Sequence, residues 1–214
     1  MIETLRYSNT NTYLIPCRGG GYLLTDTGWA GSFPMFCKAL GEKNIDAREI
    51  RYLLITHFHP DHCGIARDVA ECGAKIVVFD VQKEYIHWAD KVFAKDKKPL
   101  FRPIVDSEVI MVDLADSRKF LADAGVDGEV LSTPGHSDDS VSICLDNGEM
   151  IVGDLNPLYE LEAHSGTAIE ESWKRLLERR PVRVFYGHAK TAELGKENRD
   201  AGESRELSDL VKRI

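Results

Sequence analysis

Several features are missing from this 214-residue sequence, and each absence narrows its class. No run of about 18 apolar residues occurs, so no segment has the composition of a membrane-spanning helix. The five cysteines are an odd number and include no C-x-x-C pair, which argues against a disulfide framework and a zinc ribbon. Residues Met1 to Tyr7 lack the basic and then apolar pattern of a secretory signal. We therefore expect a cytoplasmic protein.

The sequence also has fewer basic than acidic residues. The chain has 35 acidic against 27 basic residues, a formal net charge of −8, and no basic stripe that would offset it. Such a surface repels polyanions, so DNA and RNA are disfavoured as partners, and nothing in the sequence favours a membrane. The remaining expectation is a globular protein that acts on a small-molecule substrate.

Short apolar segments alternate with amphipathic ones, which predicts an α/β protein with one domain over residues 1–214. Continuous apolar runs at Arg51–Thr56 and Lys75–Phe79 are typical of strands buried on both faces. Further strands are predicted at Thr12–Pro16, Tyr22–Thr25, Val109–Val112, Glu129–Ser132, Val141–Leu145, Met150–Val152 and Val182–Tyr186.

Helical periodicity marks four other segments. Thr167 and Glu170 have the spacing of a capping box ahead of one of these apolar stripes. Aromatic residues between Tyr85 and Phe101 are candidates for an exposed patch and a homodimer contact. The four stripes are Phe33, Phe36, Cys37 and Leu40; Tyr85, Ala89, Val92 and Phe93; Ile169, Trp173, Leu176 and Leu177; and Leu207, Leu210, Val211 and Ile214.

The most informative stretch is T-H-F-H-P-D-H-C-G, which starts at Thr56. Clustered imidazoles repel one another when protonated, unless a bound cation holds them neutral. Alternation along the chain places His57 and His59 on the same side, and Asp61 and His62 follow the proline turn, where they can serve a second position. The stretch therefore predicts a metal site on a loop anchored between a strand and a helix-like segment.

Three later segments repeat the pattern of a strand followed by a metal-type residue. They are T-P-G-H with His136, V-G-D with Asp154 and Y-G-H with His188. Taken singly, the two histidines could be turn residues and the aspartate a helix cap. Together they complete a set of five histidines and two aspartates, about what two metal ions need if each keeps a place for water.

The motif H-x-H-x-D-H with Cys63 and Gly64, followed in order by T-P-G-H, G-D and G-H, resembles the metallo-β-lactamase superfamily. Within that superfamily the chain is most similar to glyoxalase II-like hydrolases, and the resemblance runs from the first strands to His188. It implies a four-layer αβ/βα sandwich with the metals at one edge.

The resemblance also implies which residues bind metal. It assigns the first ion to His57, His59 and His136, the second ion to Asp61, His62 and His188, and the bridging position to Asp154. The expected ions are zinc, with iron and manganese as alternatives.

A water shared by two such ions loses its proton far more readily, with a pKa near 7 instead of 15.7. We expect the resulting hydroxide to attack an ester, thioester, lactone or amide, with Asp61 orienting it or accepting its proton. Cys63 is then a packing residue rather than a nucleophile. Only 26 residues follow His188, so the helical region that binds glutathione in longer glyoxalase II enzymes is largely missing. This argues against a glutathione thioester.

Groups that line the substrate site could come from three segments, each of which could equally be ordinary surface. These are Tyr22–Gly31, the pair His87–Trp88, and Leu155–Gly166 with Asn156, Tyr159 and His164.

The main alternative is an oxidoreductase. One branch of the family that this chain resembles oxidises persulfides at a single iron. His57, His136 and Asp154 would supply the two histidines and one carboxylate of such a site. A di-iron flavoprotein would need a further domain that does not fit here. The acidic charge disfavours a nuclease, β-lactamases are normally exported, and a non-catalytic module would be expected to have lost ligands.

Overall fold

The structure, a computed structural model, describes residues 2–96 and 100–195. The chain forms two compact units, Met1–Val126 and Asp127–Ile214, and the described residues of each form one β-sheet. The closing helix predicted around Leu207–Ile214 lies outside the described residues. None of the helices in the described ranges has the length and apolar composition needed to cross a membrane.

The sheet of the first unit has six strands in the order β1-β2-β3-β4-β5-β6. Strands β1 to β3 are antiparallel, and β3 to β6 run parallel to one another. Parallel strands need crossover connections, and the buried β4 and β5 match the continuous apolar runs of the sequence. The strands are β1 (Glu3–Leu5), β2 (Thr12–Pro16), β3 (Tyr22–Thr25), β4 (Ile50–Leu54), β5 (Lys75–Phe79) and β6 (Val109–Val112).

The largest error among the predicted strand boundaries is at the end of β4, which lies at Leu54 and not at Thr56. The backbone nitrogen of Thr56 donates to the carboxylate of Asp26 at 2.7 Å instead of joining the ladder. The chain therefore leaves the sheet two residues early and enters the histidine cluster as a loop.

The described part of the first unit includes five α-helices. The predicted stripe near residue 33 is confirmed, because the first helix buries Phe36, Ala39 and Leu40 in the core of this unit. The helices are α1 (Phe33–Gly41), α2 (Pro60–Cys63), α3 (Ala66–Glu71), α4 (Trp88–Asp96) and α5 (Ser117–Ala124).

The sheet of the second unit has the order β11-β10-β9-β8-β7. Strands β7 and β9 both pair antiparallel with β8, and β10 runs parallel to β9. The helix α6 (Ala168–Leu177) buries Ile169, Trp173 and Leu176 as predicted. The strands are β7 (Gly128–Ser132), β8 (Val141–Leu145), β9 (Glu149–Ile151), β10 (Arg183–Phe185) and β11 (Ala192–Glu193).

The predicted capping box at the start of α6 is not formed. The hydroxyl of Thr167 donates to the carbonyl of His164 at 2.6 Å, and the carboxylate of Glu170 accepts from the backbone nitrogen of Gly166 at 2.6 Å. Both side chains therefore tie down the preceding turn, and neither makes the reciprocal contacts that define the box.

Helix α4 shows that most of the aromatic residues expected on the surface pack inward. Phe93 is buried and stacks on Phe101 with ring centroids 4.2 Å apart. Among the described aromatic residues from Tyr85 to Phe101, Trp88 is the exposed one, at 41%. The exposed patch therefore reduces to Trp88, and a homodimer stays a prediction.

His87 precedes α4 and contacts carboxylates through both ring nitrogens. Nδ1 lies 2.8 Å from Asp90, one helical turn ahead, and Nε2 lies 2.7 Å from Asp106. The hydrogen bond with Asp106 raises the pKa of His87; burial opposes this, and Asp90 raises it further. In the protonated form this histidine joins the start of α4 to the turn before β6.

We predict that His87→Gln destabilises the protein in acid only. The folded-state pKa of His87 is raised, so its contribution is fully present below the unfolded-state value of about 6.5 and is lost as the pH rises through the folded value. The pair is largely exposed, so we expect a loss of roughly 0.5 kcal/mol at about pH 5.5 and none at about pH 9. Urea unfolding of both proteins at both pH values measures this, and an equal loss at both would contradict it.

Gly64, directly after α2, touches the backbone of the loop that follows β3. A Cβ at this position would lie 2.6 Å from the carbonyl oxygens of Gly28 and Pro60 and would also collide with the backbone nitrogen of Ala30. We predict that Gly64→Ala lowers the free energy of unfolding by roughly 3 kcal/mol, because backbone atoms cannot move aside cheaply. Urea unfolding measures the loss.

The matched control is Gly41→Ala. Gly41 ends α1, and a Cβ added to it would meet no heavy atom within 4 Å, so the extra methyl should be neutral or slightly stabilising. Similar losses in both variants would show that Gly64 is not constrained by its neighbours.

Candidate metal centre

The first two predicted ligands face each other directly after β4. Nε2 of His57 lies 3.1 Å from Nδ1 of His59. Two nitrogens bound to one tetrahedral zinc at 2.0–2.1 Å are about 3.3 Å apart. The pair therefore has the spacing of two ligands of one ion, in agreement with the alternation seen in the sequence.

Helix α2 brings the next two predicted ligands beside the first pair. His62 is fully buried, its ring centroid lies 4.1 Å from that of His57, and its Nε2 lies 3.9 Å from Oδ2 of Asp61. The hydroxyl of Thr10 donates to the carbonyl of Asp61 at 2.9 Å and holds this turn in place. All four predicted ligands of the first unit thus lie together.

A buried carboxylate that the sequence interpretation missed stands behind these histidines. Oδ2 of Asp26 lies 3.1 Å from Nδ1 of His62 and accepts from the hydroxyl of Thr56 at 2.8 Å. That hydroxyl in turn lies 3.2 Å from Nδ1 of His57. Both Nδ1 atoms therefore face oxygen atoms, and the Nε2 atoms of His57 and His62 are the nitrogens that could hold a metal.

The backbone conformation and hydrogen bonds around Asp26 hold its carboxylate beside the histidines. Asp26 has a φ of +60°, a conformation that residues other than glycine adopt uncommonly and that aspartate tolerates better than most. Its backbone nitrogen donates to Leu54 at 2.9 Å, and Thr27 donates to the carbonyl of His62 from both its nitrogen (2.8 Å) and its hydroxyl (2.9 Å). The available signal in the sequence was an aspartate directly after a buried strand, within a segment predicted only to line the substrate site.

Gln82 is a second residue that sequence reasoning missed. It is fully buried, and its amide nitrogen donates to the carbonyl of Ile55 at 2.9 Å and to that of Thr56 at 3.3 Å. These carbonyls lie where β4 has left the ladder and would otherwise be buried without partners. Gln82 thus supports the strand end from which the histidine loop departs.

Cys63 behaves as a packing residue. It is buried, and its thiol donates to the backbone carbonyl of His59 at 3.2 Å, within α2 and its cap. This contact fits the assignment made from the sequence.

The second unit brings together the other three predicted ligands. His136 lies in the loop after β7, Asp154 follows β9 and His188 follows β10. These three strand ends share one edge of the sheet, because β7 and β9 both oppose β8 and β10 parallels β9. The backbone nitrogen of Gly187 donates to the carbonyl of Gly153 at 2.7 Å and joins the last two turns.

Asp154 stands between the two histidines. Its Oδ2 lies 3.6 Å from Nε2 of His136 and 3.4 Å from Nε2 of His188. A single carboxylate oxygen with an imidazole nitrogen on either side suits a ligand that bridges two ions. Imidazole and carboxylate are also ligands that zinc, iron and manganese accept, so the donor set fits the predicted metals.

A cleft of about 240 Å³ opens over these three side chains. Leu155, Pro157 and Ala189 contribute apolar lining, and Asn156 and Tyr186 also line the cleft. Of the candidate residues in the segment after Asp154, Asn156 lines this cleft, whereas Tyr159 and His164 are not among its lining residues.

Tyr186 was predicted only as the end of a strand. Burial raises the pKa of Tyr186 to about 12, and the backbone nitrogen of Leu158, which donates to its hydroxyl at 3.3 Å, acts in the opposite direction. The phenol is therefore neutral at physiological pH.

Comparison with known proteins agrees with this chemistry. The family profile of the metallo-beta-lactamase superfamily matches residues 5–188. The Beta-lactamase-like protein 2 homolog of Drosophila melanogaster is 27% identical over 199 residues, which are 89% of this chain and 62% of that protein. The Atrochrysone carboxyl ACP thioesterase of Claviceps purpurea (strain 20.1) is 26% identical over 194 residues, 85% of this chain and 51% of that protein. The chain thus spans roughly half to three fifths of these relatives.

Solved structures show the same fold. The metallo-beta-lactamase family protein TTHA1429 of Thermus thermophilus has a TM-score of 0.64 at 20% identity and covers 99% of this chain and 78% of its own. TTHA1623, solved in a di-iron-bound form, has a TM-score of 0.66 at 25% identity and covers 93% of this chain and 97% of its own. The mixed α/β architecture, with two sheets and, in the described ranges, six α-helices, matches this fold. Since the family match includes every predicted ligand, the chain belongs to the metallo-β-lactamase superfamily.

Proposed function

We propose that this protein is a binuclear metal-dependent hydrolase of a small ester, thioester or lactone. The observation that carries the proposal is the position of Asp154, with one oxygen 3.4–3.6 Å from the Nε2 atoms of both His136 and His188. A carboxylate oxygen with an imidazole on either side could serve an ion next to each histidine, which supports two ions. Two histidines and one carboxylate can also hold a single ion, so the metal content decides between these alternatives.

The proposed ligands follow the family pattern and the nitrogens that the contacts leave for metal. His57 through Nε2 and His59 through Nδ1 would bind the first ion, and His62 through Nε2 the second. The remaining assignments are His136 to the first ion, Asp61 and His188 to the second, and Asp154 to both.

The bound metals would supply a hydroxide at neutral pH and a Lewis acid for the substrate carbonyl. The protein's own groups would organise the site around that chemistry. Asp26, which lies 3.1 Å from Nδ1 of His62, would keep a proton on that nitrogen, and the side chain of Asp61 would orient the nucleophile or accept its proton. The apolar lining contributed by Leu155 and Pro157 would exclude water from the non-reacting part of the substrate.

Thioesters are the first substrate class to test. The Claviceps relative is named as a thioesterase, which supports a thioester over the other carbonyl compounds. The chain is also still expected to resemble glyoxalase II in its chemistry. A cytoplasmic location fits the five cysteines, all of which are thiols.

The alternative is an iron oxidoreductase that acts on persulfides at one ion. The di-iron-bound form of TTHA1623 supports iron as a candidate metal. It favours two ions over one, however, and so agrees better with the binuclear proposal.

The deciding experiment is elemental mass spectrometry of protein purified without a metal-binding tag. We expect about two ions of zinc, manganese or iron per chain, and thioester hydrolysis that is lost on chelation and restored by the metal. One iron per chain, with oxygen uptake on persulfides and no hydrolysis, would overturn the proposal.

A histidine pair in the second unit provides the matched variants. His188→Asn should reduce the metal content to about one ion per chain and remove activity. His164→Asn, at a half-buried histidine outside the ligand set, should retain both ions. Equal metal content in the two variants would count against His188 as a ligand.

We also predict that Asp26→Asn weakens metal binding without removing a ligand. The amide cannot supply the charge that stabilises Nδ1–H of His62, and loss of such a partner commonly costs roughly 10–100-fold in metal affinity. Competition with a chromogenic chelator measures the affinity. The control is Asp80→Asn, at an exposed aspartate that follows β5 and accepts from the backbone nitrogen of Leu114 at 2.8 Å. Unchanged affinity in a folded Asp26→Asn protein would contradict this role.

A further inference from the structure

Trp88 is an exposed aromatic residue in contact with a predicted metal ligand. It is the first residue of α4, and 41% of its surface is accessible. Its ring centroid lies 4.8 Å from that of His59, with the two planes tilted by 40°. A substrate carbonyl that reacts at an ion held by His59 would therefore lie within reach of the indole.

The backbone that carries the indole is anchored on both sides of Trp88. Ala89 and Phe93 occupy the inward face of α4, where Phe93 packs against both Phe101 and Trp29. On the other side of Trp88, the ring of His87 is held between two carboxylates. With its backbone anchored and its ring next to that of His59, the indole loses less conformational freedom when a ligand covers it than a side chain on a loose loop would.

We propose that Trp88 determines substrate specificity by providing an apolar wall for the acyl chain of the substrate. This inference rests on the proposed hydrolase function and adds a substrate class to it, namely esters or thioesters whose acyl chain is long enough to lie on the indole. A planar indole next to the reacting group favours acyl chains that are long enough to lie on it. An acetyl group is too short to make this contact and gains no binding free energy from it. The gain in binding free energy comes from the apolar area of the indole and of the acyl chain that contact removes from water.

The test compares acyl-chain preference in Trp88→Ala and Trp88→Phe with the wild type, using acetyl and octanoyl thioesters of the same thiol. We expect Trp88→Ala to lower kcat/KM for the octanoyl substrate by about tenfold, mostly through KM, and to leave the acetyl substrate within about twofold. Trp88→Phe should retain most of the preference. Met111→Ala is the control, since Met111 is 47% exposed and lies on the edge strand β6.

A binding measurement separates this inference from the hydrolase proposal. Calorimetric titration of the zinc-loaded protein with octanoate should give a dissociation constant about tenfold weaker in Trp88→Ala than in wild type, whether or not any thioester is hydrolysed. Absence of hydrolysis with this difference intact would remove the hydrolase proposal and keep the role of Trp88.

Three results would overturn the inference. The first is an equal loss of kcat/KM for the acetyl and octanoyl substrates, which would indicate a structural role next to His59. The second is octanoate binding that is absent in wild type or unchanged in Trp88→Ala. The third is a change of oligomeric state in Trp88→Ala without a change in acyl preference. The last result would identify the exposed indole as a contact between two copies of the chain.

Discussion

The buried carboxylate of Asp26 is the group on which the ligand geometry of the first unit depends. A carboxylate with no accessible surface is costly unless several donors compensate it. The nitrogen and hydroxyl of Thr56 and the ring of His62 supply those contacts, at 2.7 Å, 2.8 Å and 3.1 Å. Satisfying this one charge therefore decides where β4 ends, which way His62 turns and which of its nitrogens remains for a metal.

Strand direction explains how distant residues reach that carboxylate. Because β3, β4 and β5 are parallel, their carboxyl ends share one edge of the sheet, and the segments that follow them meet there. Asp26, Thr56 and Gln82 come from three such segments and are joined by hydrogen bonds. The second unit has the same arrangement in its own sheet, since His136, Asp154 and His188 each follow a strand end at one edge. In both units the segments that follow the strand ends bring the candidate ligands together.

The sequence identified the candidate ligands more readily than the residues that support them. His57, His59, Asp61 and His62 stand in a local motif whose spacing can be interpreted without a structure, and the apolar runs located β5 and the core of β4. Asp26 and Gln82 have no such spacing, because their partners are about 30 residues away and depend on which strands are neighbours.

Local patterns also failed where a nearby competing partner existed. Thr167 and Glu170 have capping-box spacing, yet the turn before α6 offers a closer carbonyl and a closer backbone nitrogen, which these side chains use instead. Similarly, the hydrophobic pattern continues past Leu54, but the carboxylate of Asp26 captures the nitrogen of Thr56. Spacing rules describe what a segment can do in isolation, and a stronger partner from elsewhere in the fold overrides them.

The contacts also make the two buried histidines of the first unit, His57 and His62, unequal as candidate metal ligands. His62 has a carboxylate on each side, Asp26 at Nδ1 and Asp61 at Nε2, whereas Nδ1 of His57 meets only the neutral hydroxyl of Thr56. A carboxylate behind an imidazole raises its basicity and strengthens it as a metal ligand, and a hydroxyl does so less. In the proposed assignment, the position served by His62 and Asp61 would have more negative charge in its surroundings than the position served by His57 and His59. The two ions would then be held with different strengths even though most of their ligands are of the same residue type.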